Sequence, residues 1–517
     1  MNHPSPAPEL LQSSPRRELP HAMLEALRAR FGERCSTALA VRQQHGRDES
    51  PFDVDPPDCV VYALSNEEVA AVLTLAQQHG VPVIPYGAGS SLEGHLLAVQ
   101  GGVSLDLSGM KQILRVNAED LTVTVQAGVT RNQLNTEIRH QGLFFPIDPG
   151  ADASIGGMAA TRASGTNAVR YGTMRENVLG LTVVTASGEI IRTGSRARKS
   201  SAGYDLTRLF VGSEGTLGVI TEVTLKLFPL PEAVSAAISF FPSIDAAVQA
   251  TIQIIQMGVP IARCELLDAN AIRAVNLHDR LGLREAPMLL MEFHGSQAGV
   301  AEQAQLVQEI ARDLGGEDFE WATTPEARSR LWTARHHAYL SALQTRPGCR
   351  CVTTDTCVPI SRLAESINES VREVEEAGLP YFIVGHVGDG NFHLGYLIDP
   401  AVPAERETAE RLSAQMVQRA LRLEGTCTGE HGIGLHKQGF LVDEAGEGAV
   451  ALMRQLKLAL DPRNIMNPGK IFTLLELAGA ASRPGRLLSR ADRLPAVRAE
   501  RAGTRDSGGS SRARPPR

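Results

Sequence analysis

The chain has 517 residues, of which 43% are hydrophobic and 21% charged, and its formal net charge at pH 7 is −7. This length exceeds a single ordinary core, so we expect two globular domains with tails. The absence of any apolar run of 18 residues excludes a transmembrane helix, and seven scattered cysteines without a CxxC pair exclude an iron–sulfur site.

Residues 1–54 form the predicted N-terminal segment, in which residues near 22–32 have the apolar spacing of a short amphipathic helix. The first twenty residues lack the apolar region of a signal peptide, and Glu9 and Glu18 argue against a transit peptide. We therefore expect a cytoplasmic protein with at most peripheral membrane association.

Residues 55–232 form the predicted first domain, where short β-rich segments alternate with glycine-rich loops. The loop PYGAGSSLEG follows a strand-like run, and Asp106 comes about twenty residues later, as in a Rossmann motif. The interval from Ser91 to Gly102 is too short for the crossover helix of that fold. We therefore predict a loop whose free backbone N–H groups bind a pyrophosphate without a Rossmann fold.

Two further stretches of small residues follow in this domain. One contains DPGADASIGGMAA and ASGTN between Asp148 and Asn167, and the other is GSEGTLGVI from Gly212 to Ile220. Small side chains let the backbone approach a flat ligand and supply N–H and hydroxyl donors. A flexible linker is the alternative for the first stretch, but the embedded Ile155 and Met158 favour a packed loop. Three such stretches favour a large, extended cofactor.

Residues 233–460 form the predicted second domain, which is α+β because helical patterns such as 297–314 and 404–424 alternate with strand-like runs such as 288–293. Pro229 and Pro231 mark its boundary with the first domain. Residues 461–476 form a predicted C-terminal segment.

Residues 477–517 form a predicted disordered basic tail, with ten arginines and three acidic residues between Arg483 and Arg517. Its alternatives are a weak anchor to an anionic surface and a solvated extension. Because no aromatic residues interleave with the charges, no nucleic-acid partner is expected.

A predicted hairpin in the second domain carries the chemistry. Strand-like runs at 381–384 and 394–398 flank Asp389-Gly390, a favoured two-residue turn, and pairing outward from it places His386 opposite His393. Directly opposed side chains have Cβ atoms about 4.5–5.5 Å apart, which suits two imidazoles on one divalent cation. The alternative is two ordinary polar residues near a turn. The later motif Gly429-Glu430-His431-Gly432 adds a carboxylate and a spare base, and a His2Glu set leaves coordination positions open for catalysis.

These motifs together resemble a known family. The order of PYGAGSSLEG, DPGADASIGGMAA, GSEGTLGVIT, KLFPLP, GHVGDGNFH, GTCTGEHGIG and DPRNIMNPGK is similar to that of FAD-linked D-2-hydroxyacid dehydrogenases of the vanillyl-alcohol-oxidase fold, across about residues 55–475. The resemblance implies an α+β fold: a two-subdomain FAD-binding domain of the vanillyl-alcohol-oxidase (PCMH) type, an α+β cap, and a C-terminal segment that returns to the FAD domain.

The resemblance also implies the cofactor contacts. Non-covalent FAD is expected because Ser90 stands where covalently linked relatives have histidine, although the nearby His95 leaves the covalent alternative open. The residues assigned to pyrophosphate, flavin, ribityl or adenine are Gly87, Ala88, Gly89, Ser90, Ser91, Pro149, Gly150, Ser154, Gly156, Gly157, Ala163, Gly165, Val219, Ile220 and Asn467.

For the reaction, the resemblance implies that His386, His393 and Glu430 bind a divalent metal (Zn, Mn or Fe). His431 is the implied base and Arg335 the implied ligand of the substrate carboxylate; an exposed helix arginine is the alternative for Arg335. The implied reaction is oxidation of a D-2-hydroxy acid by hydride transfer to flavin N5, with cytochrome c, a quinone or an electron-transfer protein as the external acceptor.

Two positions depart from the family pattern. Arg162 stands where relatives have a small or amide residue, and Thr353 stands where relatives that act on 2-hydroxyglutarate have a lysine. Without that lysine a second carboxylate would be poorly paired, so a monocarboxylate such as D-lactate is expected. The alternatives are a glycolate oxidase-type subunit, a D-2-hydroxyglutarate dehydrogenase, a flavin-dependent ether-lipid synthase and a non-catalytic flavin subunit.

Overall fold

Alternating helices and strands build the described residues into three larger sheets and a two-stranded pair, with helices packed on the larger sheets. The computed structural model describes residues 16–474, so the predicted tail at 477–517 lies outside the described residues. The helices are α1 (His21–Phe31), α2 (Leu39–His45), α3 (Asn66–His79), α4 (Arg131–Ile138), α5 (Ile155–Thr161), α6 (Ala168–Tyr171), α7 (Met174–Asn177), α8 (Leu206–Phe210), α9 (Ile244–Gln256), α10 (Ala269–Asp279), α11 (Gln297–Asp313), α12 (Pro325–Gln344), α13 (Leu363–Ala377), α14 (Pro403–Arg422) and α15 (Gln438–Leu460).

The strands are β1 (Cys35–Ser36), β2 (Cys59–Tyr62), β3 (Val83–Tyr86), β4 (Val103–Asp106), β5 (Ile113–Asn117), β6 (Thr122–Gln126), β7 (Leu143–Phe144), β8 (Val178–Thr185), β9 (Ile190–Arg192), β10 (Gly218–Lys226), β11 (Phe228–Pro229), β12 (Ala233–Phe240), β13 (Ile261–Leu267), β14 (Met288–Gly295), β15 (Glu317–Ala322), β16 (Arg350–Thr353), β17 (Thr356–Cys357), β18 (Tyr381–His386) and β19 (Asn391–Ile398).

The first sheet has the strand order β1-β2-β4-β3, and β4 runs parallel to both β2 and β3. Parallel neighbours need a crossover connection, which α3 supplies between β2 and β3. The Ser65 side chain caps α3 by accepting the backbone N–H of Glu68, and the helix buries Val69, Val72 and Ala76 at helical spacing. The crossover delivers the chain to β3, directly before the first glycine-rich loop.

The second sheet is antiparallel, with the order β5-β6-β10-β8-β9. Its inward residues, including Val123, Val183 and Val223, are fully buried and share a core with Met158 of α5. The second glycine-rich stretch contains α5, and the third leads into β10. The first and second sheets therefore present all three glycine-rich stretches, and the predicted α+β class is confirmed.

The third sheet has the order β15-β12-β14-β13-β18-β19-β16, with β17 also paired to β19. One face packs against α9, α11, α13 and α14, and the opposite face packs against α10 and α12. Leu267 of β13 and Val384 of β18 lie on the α10/α12 face. Because side chains alternate along a strand, Glu265 and His386 continue the same face toward the strand ends.

The segment after α15 returns to the first sheet. The backbone N–H of Val83 donates to the carbonyl of Ile465 at 2.7 Å, and that of Asn467 donates to the carbonyl of Val83 at 2.9 Å. The buried Lys457 ammonium anchors the turn by donating to Asp461 and to the Thr216 and Met466 carbonyls. Among the residues that the structure describes, no helix combines the length and apolar character needed to cross a membrane.

Candidate active site

A cleft of about 850 Å³, counted with its open mouth, lies between the first and second sheets. The predicted cofactor residues that line it are Gly87, Ala88, Gly89, Ser90, Ser91, Ser154, Gly156, Gly157, Ile220 and Asn467.

The loop of residues 87–91 is suited to bind phosphate. Within residues 16–474, none of its five backbone N–H groups donates a hydrogen bond to another residue, although the loop lines the cleft. Free N–H groups on adjacent residues form a site for an anion. This supports the predicted role in binding a pyrophosphate.

Two glycines let the backbone form the wall of the cleft. A Cβ on Gly87 would lie 2.4 Å from Ser154 Oγ, and a Cβ on Gly156 would lie 2.5 Å from Ala127 Cβ. Side chains at these positions would therefore displace the second glycine-rich stretch or the neighbouring strand end. The small residues are required by close backbone packing as well as by a ligand.

Three predicted cofactor residues line neither this cleft nor the second cavity described below. Val219 is completely buried in the core of the first sheet, because alternation along β10 directs its neighbour Ile220 to the cleft instead. Gly150 is exposed, and Gly165 packs so closely that a Cβ would lie 1.8 Å from the Asp148 carbonyl oxygen. Gly165 has a φ of 132°, which favours glycine, so its evident role is to shape the loop.

A second cavity of about 500 Å³ shares Ser90, Ser91 and Ala153 with the cleft, so the two spaces adjoin. Pro149 and Ala163 line it, as do Glu430 and His431. The glycine-rich loops and the Glu-His motif are about 340 residues apart in sequence, yet they face one another here. The second cavity is where a small substrate would meet a ligand in the cleft.

The histidine hairpin has a different register from the predicted one. Four residues, 387–390, connect β18 to β19, so that His386 opposes Asn391 and His393 opposes Val384. The predicted pairing of His386 with His393 is therefore wrong. The register differs by two residues, which keeps both histidines on one face as diagonal neighbours.

The turn geometry explains the difference. A two-residue turn of the expected type needs positive φ at both central residues, but only Gly390 has it, at 78°. The carbonyl of Gly390 also accepts the backbone N–H of Val358 at 3.0 Å, and a Cβ on Gly390 would lie 2.0 Å from the Val358 oxygen. The contact with Val358 therefore stabilises the longer connection.

His386, His393 and Glu430 form a compact buried cluster. The Nε2 atoms of both histidines lie 3.2 Å from the same Glu430 oxygen, Oε1, and the two rings are nearly perpendicular at 83°. The other oxygen, Oε2, is buried and has no hydrogen-bond partner among the described residues. Two nitrogens and a carboxylate that converge in this way have the ligand types and spacing of an open site for a divalent transition metal.

The outward nitrogens of both histidines are also occupied. His386 Nδ1 lies 2.7 Å from Glu265 Oε1, and His393 Nδ1 lies 3.0 Å from the carbonyl oxygen of Thr354. Because a carboxylate and a carbonyl only accept, each Nδ1 donates. Each Nε2 therefore carries the lone pair when its ring is neutral, as metal binding requires, and donates to Glu430 when the ring is protonated. Burial opposes the charge of Glu430, but His386 and His393 overcome it and hold the Glu430 pKa below its ordinary value.

Two buried carboxylates hold the loop of residues 429–434. Asp355 Oδ2 accepts the backbone N–H groups of Glu430 at 3.0 Å and His431 at 2.9 Å. Glu214, which lines the cleft, accepts those of Ile433 at 2.7 Å and Gly434 at 2.9 Å. Both carboxylates have a lowered pKa because neighbouring histidines and backbone N–H groups outweigh the cost of burial. The loop is therefore fixed from both sides.

His431 lies beside this cluster, with its ring stacked on that of His393 at 5.3 Å between centroids. Its Nδ1 is 3.5 Å from Glu93 Oε1, at the limit of hydrogen bonding. Among residues 16–474, this buried Nδ1 has no hydrogen-bond partner within ordinary geometry. Burial lowers the pKa of His431, but the carboxylates of Asp355 and Glu93 more than compensate and raise it above the ordinary value.

Arg335 lies on α12 and its side chain is mostly buried, so the alternative of an exposed helix arginine does not hold. Its Nε donates to Glu265 Oε2 at 2.8 Å, and Glu265 contacts His386 through its other oxygen. Arg335 lines neither cavity and is linked through Glu265 to the cluster of His386, His393 and Glu430. Arg162 donates to the Val211 carbonyl and packs on Gly212, so it supports the third glycine-rich stretch.

The sequence analysis did not identify four buried carboxylates, Glu93, Glu214, Glu265 and Asp355. Glu214 lies within the third glycine-rich stretch, Asp355 lies two residues after Thr353, and Glu93 follows the loop of residues 87–91. None of the three was assigned a role from the sequence. For Glu265 there was no local signal, because its role depends on pairing with strands more than 100 residues away.

The cleft fits FAD on structural grounds, since it has a backbone anion site at 87–91 and adjoins a smaller cavity lined by Glu430 and His431. Comparisons with known proteins agree. The FAD binding domain model matches residues 57–194, and the model of FAD linked oxidases, C-terminal domain, matches residues 230–471. The fold and the site thus define an FAD-linked oxidoreductase.

Relatives narrow this class. The chain is 52% identical to a Danio rerio protein named "Probable D-lactate dehydrogenase, mitochondrial", over 86% of this chain and 90% of that one. It is 45% identical to "D-lactate dehydrogenase [cytochrome], mitochondrial" of Arabidopsis thaliana, over 88% and 81%. The chain belongs to the FAD-linked D-2-hydroxyacid dehydrogenase family.

A solved structure supports the fold. The structure of p-cresol methylhydroxylase with substrate bound matches with a TM-score of 0.72 and 18% identity, over 87% of this chain and 96% of that one. The predicted vanillyl-alcohol-oxidase (PCMH) architecture is confirmed.

Proposed function

We propose that this enzyme oxidises D-lactate to the 2-oxo acid with FAD and a bound divalent metal. The observation that carries the proposal is that Glu430 and His431 line a small cavity that shares three wall residues with the FAD cleft. A 2-hydroxy acid in that cavity would have its hydroxyl carbon between the base and the flavin. The names of the relatives support D-lactate as the substrate.

The metal proposal rests on the donor set. His386, His393 and Glu430 offer two lone-pair nitrogens and a carboxylate whose second oxygen has no partner among the described residues. A bound divalent cation of the Zn, Mn or Fe type would polarise the substrate hydroxyl and lower its pKa. The protein's part is to hold three ligands and leave the remaining positions open.

The protein residues have separate tasks. Arg335 lines neither cavity, so it can take the substrate carboxylate only if the substrate reaches beyond the second cavity. It would then bind through its guanidinium Nη groups, since its Nε is bound to Glu265, and would fix which face of C2 is presented. His431 Nε2 accepts the hydroxyl proton. When bound, FAD accepts the hydride that leaves C2. The hydroxy acid thereby loses one proton and one hydride.

The preference for a monocarboxylate is supported by Thr353. Thr353 pairs with Gly395, two residues beyond His393 along β19, so it lies on the same sheet face as the metal cluster. A neutral hydroxyl there gives a second carboxylate no charge partner. Lactate places only a methyl group beyond C2.

The electron acceptor and the location belong to the same proposal. No iron–sulfur site is expected in the sequence, so the reduced flavin needs an external acceptor, and a cytochrome is supported by the name of the Arabidopsis relative. Cytoplasmic location stays a prediction, because the names of both relatives contain the word mitochondrial.

The experiment that tests the proposal is anaerobic reduction of the FAD-loaded protein. The rate of reduction is measured from the loss of flavin absorbance. D-lactate, L-lactate, glycolate and D-2-hydroxyglutarate are compared before and after treatment with a chelator. We expect D-lactate to bleach the flavin fastest and chelation to stop the bleaching. Equal rates with L-lactate would contradict the substrate assignment, and undiminished bleaching after chelation would contradict the metal.

A further inference from the structure

Glu265 contacts both His386, a proposed metal ligand, and Arg335, the proposed ligand of the substrate carboxylate. Its carboxylate is completely buried on β13. Oε1 lies 2.7 Å from Nδ1 of His386, a proposed metal ligand, and Oε2 accepts Nε–H of Arg335, the proposed carboxylate ligand, at 2.8 Å. A single side chain therefore touches both halves of the site without lining either cavity.

The sheet register produces this contact. β13 and β18 are antiparallel, with Leu266 opposite Gly385 and Leu267 opposite Val384. Extending the register by one residue places Glu265 opposite His386, on the face that α12 covers. Arg335 reaches the same carboxylate from α12. Strand pairing and helix packing thus bring three residues from separate parts of the chain to one point.

A buried carboxylate without partners would be strongly unfavourable, so both contacts are needed to keep Glu265 in place. Both partners present hydrogens to it. His386 must donate from Nδ1 if Nε2 is to bind a metal, and the Nε of an arginine only donates. The position therefore requires two acceptor atoms and a negative charge, which among the side chains only a carboxylate supplies.

We infer that Glu265 is a positioning residue that orients the metal ligand His386 and the substrate-binding Arg335 together. This inference rests on the proposed function. Through Oε1 it fixes the tautomer and ring orientation of His386, and through Oε2 it leaves the Nη groups of Arg335 free for a carboxylate. Loss of Glu265 would then weaken metal binding and substrate binding at once, although it contacts neither ligand.

The test is Glu265→Gln in the FAD-loaded protein. Glutamine preserves the shape but has one acceptor oxygen for two donors, so one contact must be lost. Outer contacts of metal-binding histidines typically change metal affinity about 10–100-fold. We expect the affinity for Zn²⁺ to fall by about 10–100-fold, measured without substrate by competition with a chromophoric chelator. We also expect the KM for D-lactate at saturating Zn²⁺ to rise about 10-fold or more. Glu265→Asp, which keeps two acceptors, should recover part of both losses.

Glu292→Gln is the matched control. Glu292 lies on the neighbouring strand β14, is also buried, and also stands between a histidine and an arginine: His294 at 2.8 Å and Arg263 at 3.5 Å. It contacts no proposed metal ligand, so its variant should bind Zn²⁺ within about twofold of the unaltered protein. Equal loss of Zn²⁺ affinity in both variants would overturn the inference by showing a general effect of removing a buried charge.

A reference variant separates this inference from the proposed function. His393→Ala removes a proposed ligand without touching Glu265. If His393→Ala loses Zn²⁺ while FAD-loaded Glu265→Gln binds it as tightly as the unaltered protein, the role of Glu265 is refuted and the metal site stands. If His393→Ala keeps full Zn²⁺ affinity, the metal site itself is refuted, and the role of Glu265 falls with it.

Discussion

Glu214 binds Ile433 across the boundary between the FAD cleft and the catalytic loop, with its Oε1 accepting the backbone N–H of Ile433 at 2.7 Å. The second oxygen accepts the N–H of Gly434, so one side chain of the cofactor wall holds the loop that carries Glu430 and His431. The cofactor cavity and the catalytic loop are therefore parts of one hydrogen-bonded unit.

Glu214→Gln should loosen this unit. Glutamine offers one acceptor to two N–H groups, and loss of a charge-assisted hydrogen bond costs about 1.5–3 kcal/mol. We expect the free energy of unfolding to fall by about 2 kcal/mol, measured by urea denaturation, and flavin reduction to slow. Glu444→Gln is the control, since Glu444 binds the start of the same region through Cys427 but lines neither cavity. Equal slowing of flavin reduction in both variants would argue against a specific role for Glu214.

Removal of the metal should stop turnover and leave FAD bound, because the proposed ligands belong to the third sheet and its following loop and not to the FAD loops. For His393→Ala we expect turnover at least about 1,000-fold lower, equivalent to about 4 kcal/mol of lost transition-state stabilisation. Metal analysis and the flavin spectrum of the same sample provide the measurement. Loss of FAD together with the metal would show that the two sites are not independent.

His431→Asn should slow flavin reduction more than it weakens substrate binding. General base catalysis contributes about 100-fold to 10,000-fold, so we expect a decrease in that range with a nearly unchanged Kd for D-lactate, measured by stopped-flow reduction. His436→Asn is the control, because His436 binds the other oxygen of Glu93 at 2.9 Å but lines neither cavity. A reduction rate in His431→Asn equal to that of the control would remove His431 as the base.

Thr353→Lys should broaden the substrate range. Thr353 shares a sheet face with His393, and diagonal neighbours lie about 7–8 Å apart, within reach of a lysine side chain. We expect kcat/KM for D-2-hydroxyglutarate to rise at least about 10-fold relative to D-lactate, the equivalent of about 1.4 kcal/mol. Thr353→Met controls for side-chain length without charge. The same gain with methionine would contradict the electrostatic explanation.

Asp268→Asn should change the pH dependence of stability. Asp268 caps α10 and accepts the backbone N–H groups of Ala271 and Ile383, and burial raises its pKa from 3.8 to about 6. Between these values the unfolded chain loses its proton first, so the unaltered protein should lose about 3 kcal/mol relative to the variant as pH rises from about 4 to about 6. Urea denaturation across this range measures the difference. Asp205→Asn keeps an exposed helix cap and removes only its charge, so it controls for loss of a cap charge. The same pH trend in this variant would contradict the role of burial.

The sequence was sufficient to predict those features that depend only on residues close together in the chain. The loop at 87–91 was recognisable because free N–H groups and small side chains occur together, and the histidine hairpin because strand-like runs flank glycine and aspartate. Its register was not predictable, since the carbonyl of Gly390 is bound by Val358, more than thirty residues earlier.

The supporting carboxylates were beyond local reasoning for the same physical reason. Glu265 meets His386 only when β13 pairs with β18. Asp355 accepts the backbone N–H of Glu430 only when the loop after α14 has folded against it. Val219 and Ile220 were both assigned to the cofactor, but only Ile220 lines the cleft, because a glycine-rich motif does not reveal which side of a strand faces the ligand.

The return of the chain to β3 has a consequence for biosynthesis. The cleft is lined both by residues 87–91 and by Asn467, whose backbone pairs with Val83. During translation, the first two sheets emerge long before the strand segment that completes their edge and the side chain that closes the cofactor wall. A nascent chain would therefore expose an apolar cleft and an unpaired strand edge for most of its synthesis. The complete cofactor wall can therefore form only after residue 467 has left the ribosome.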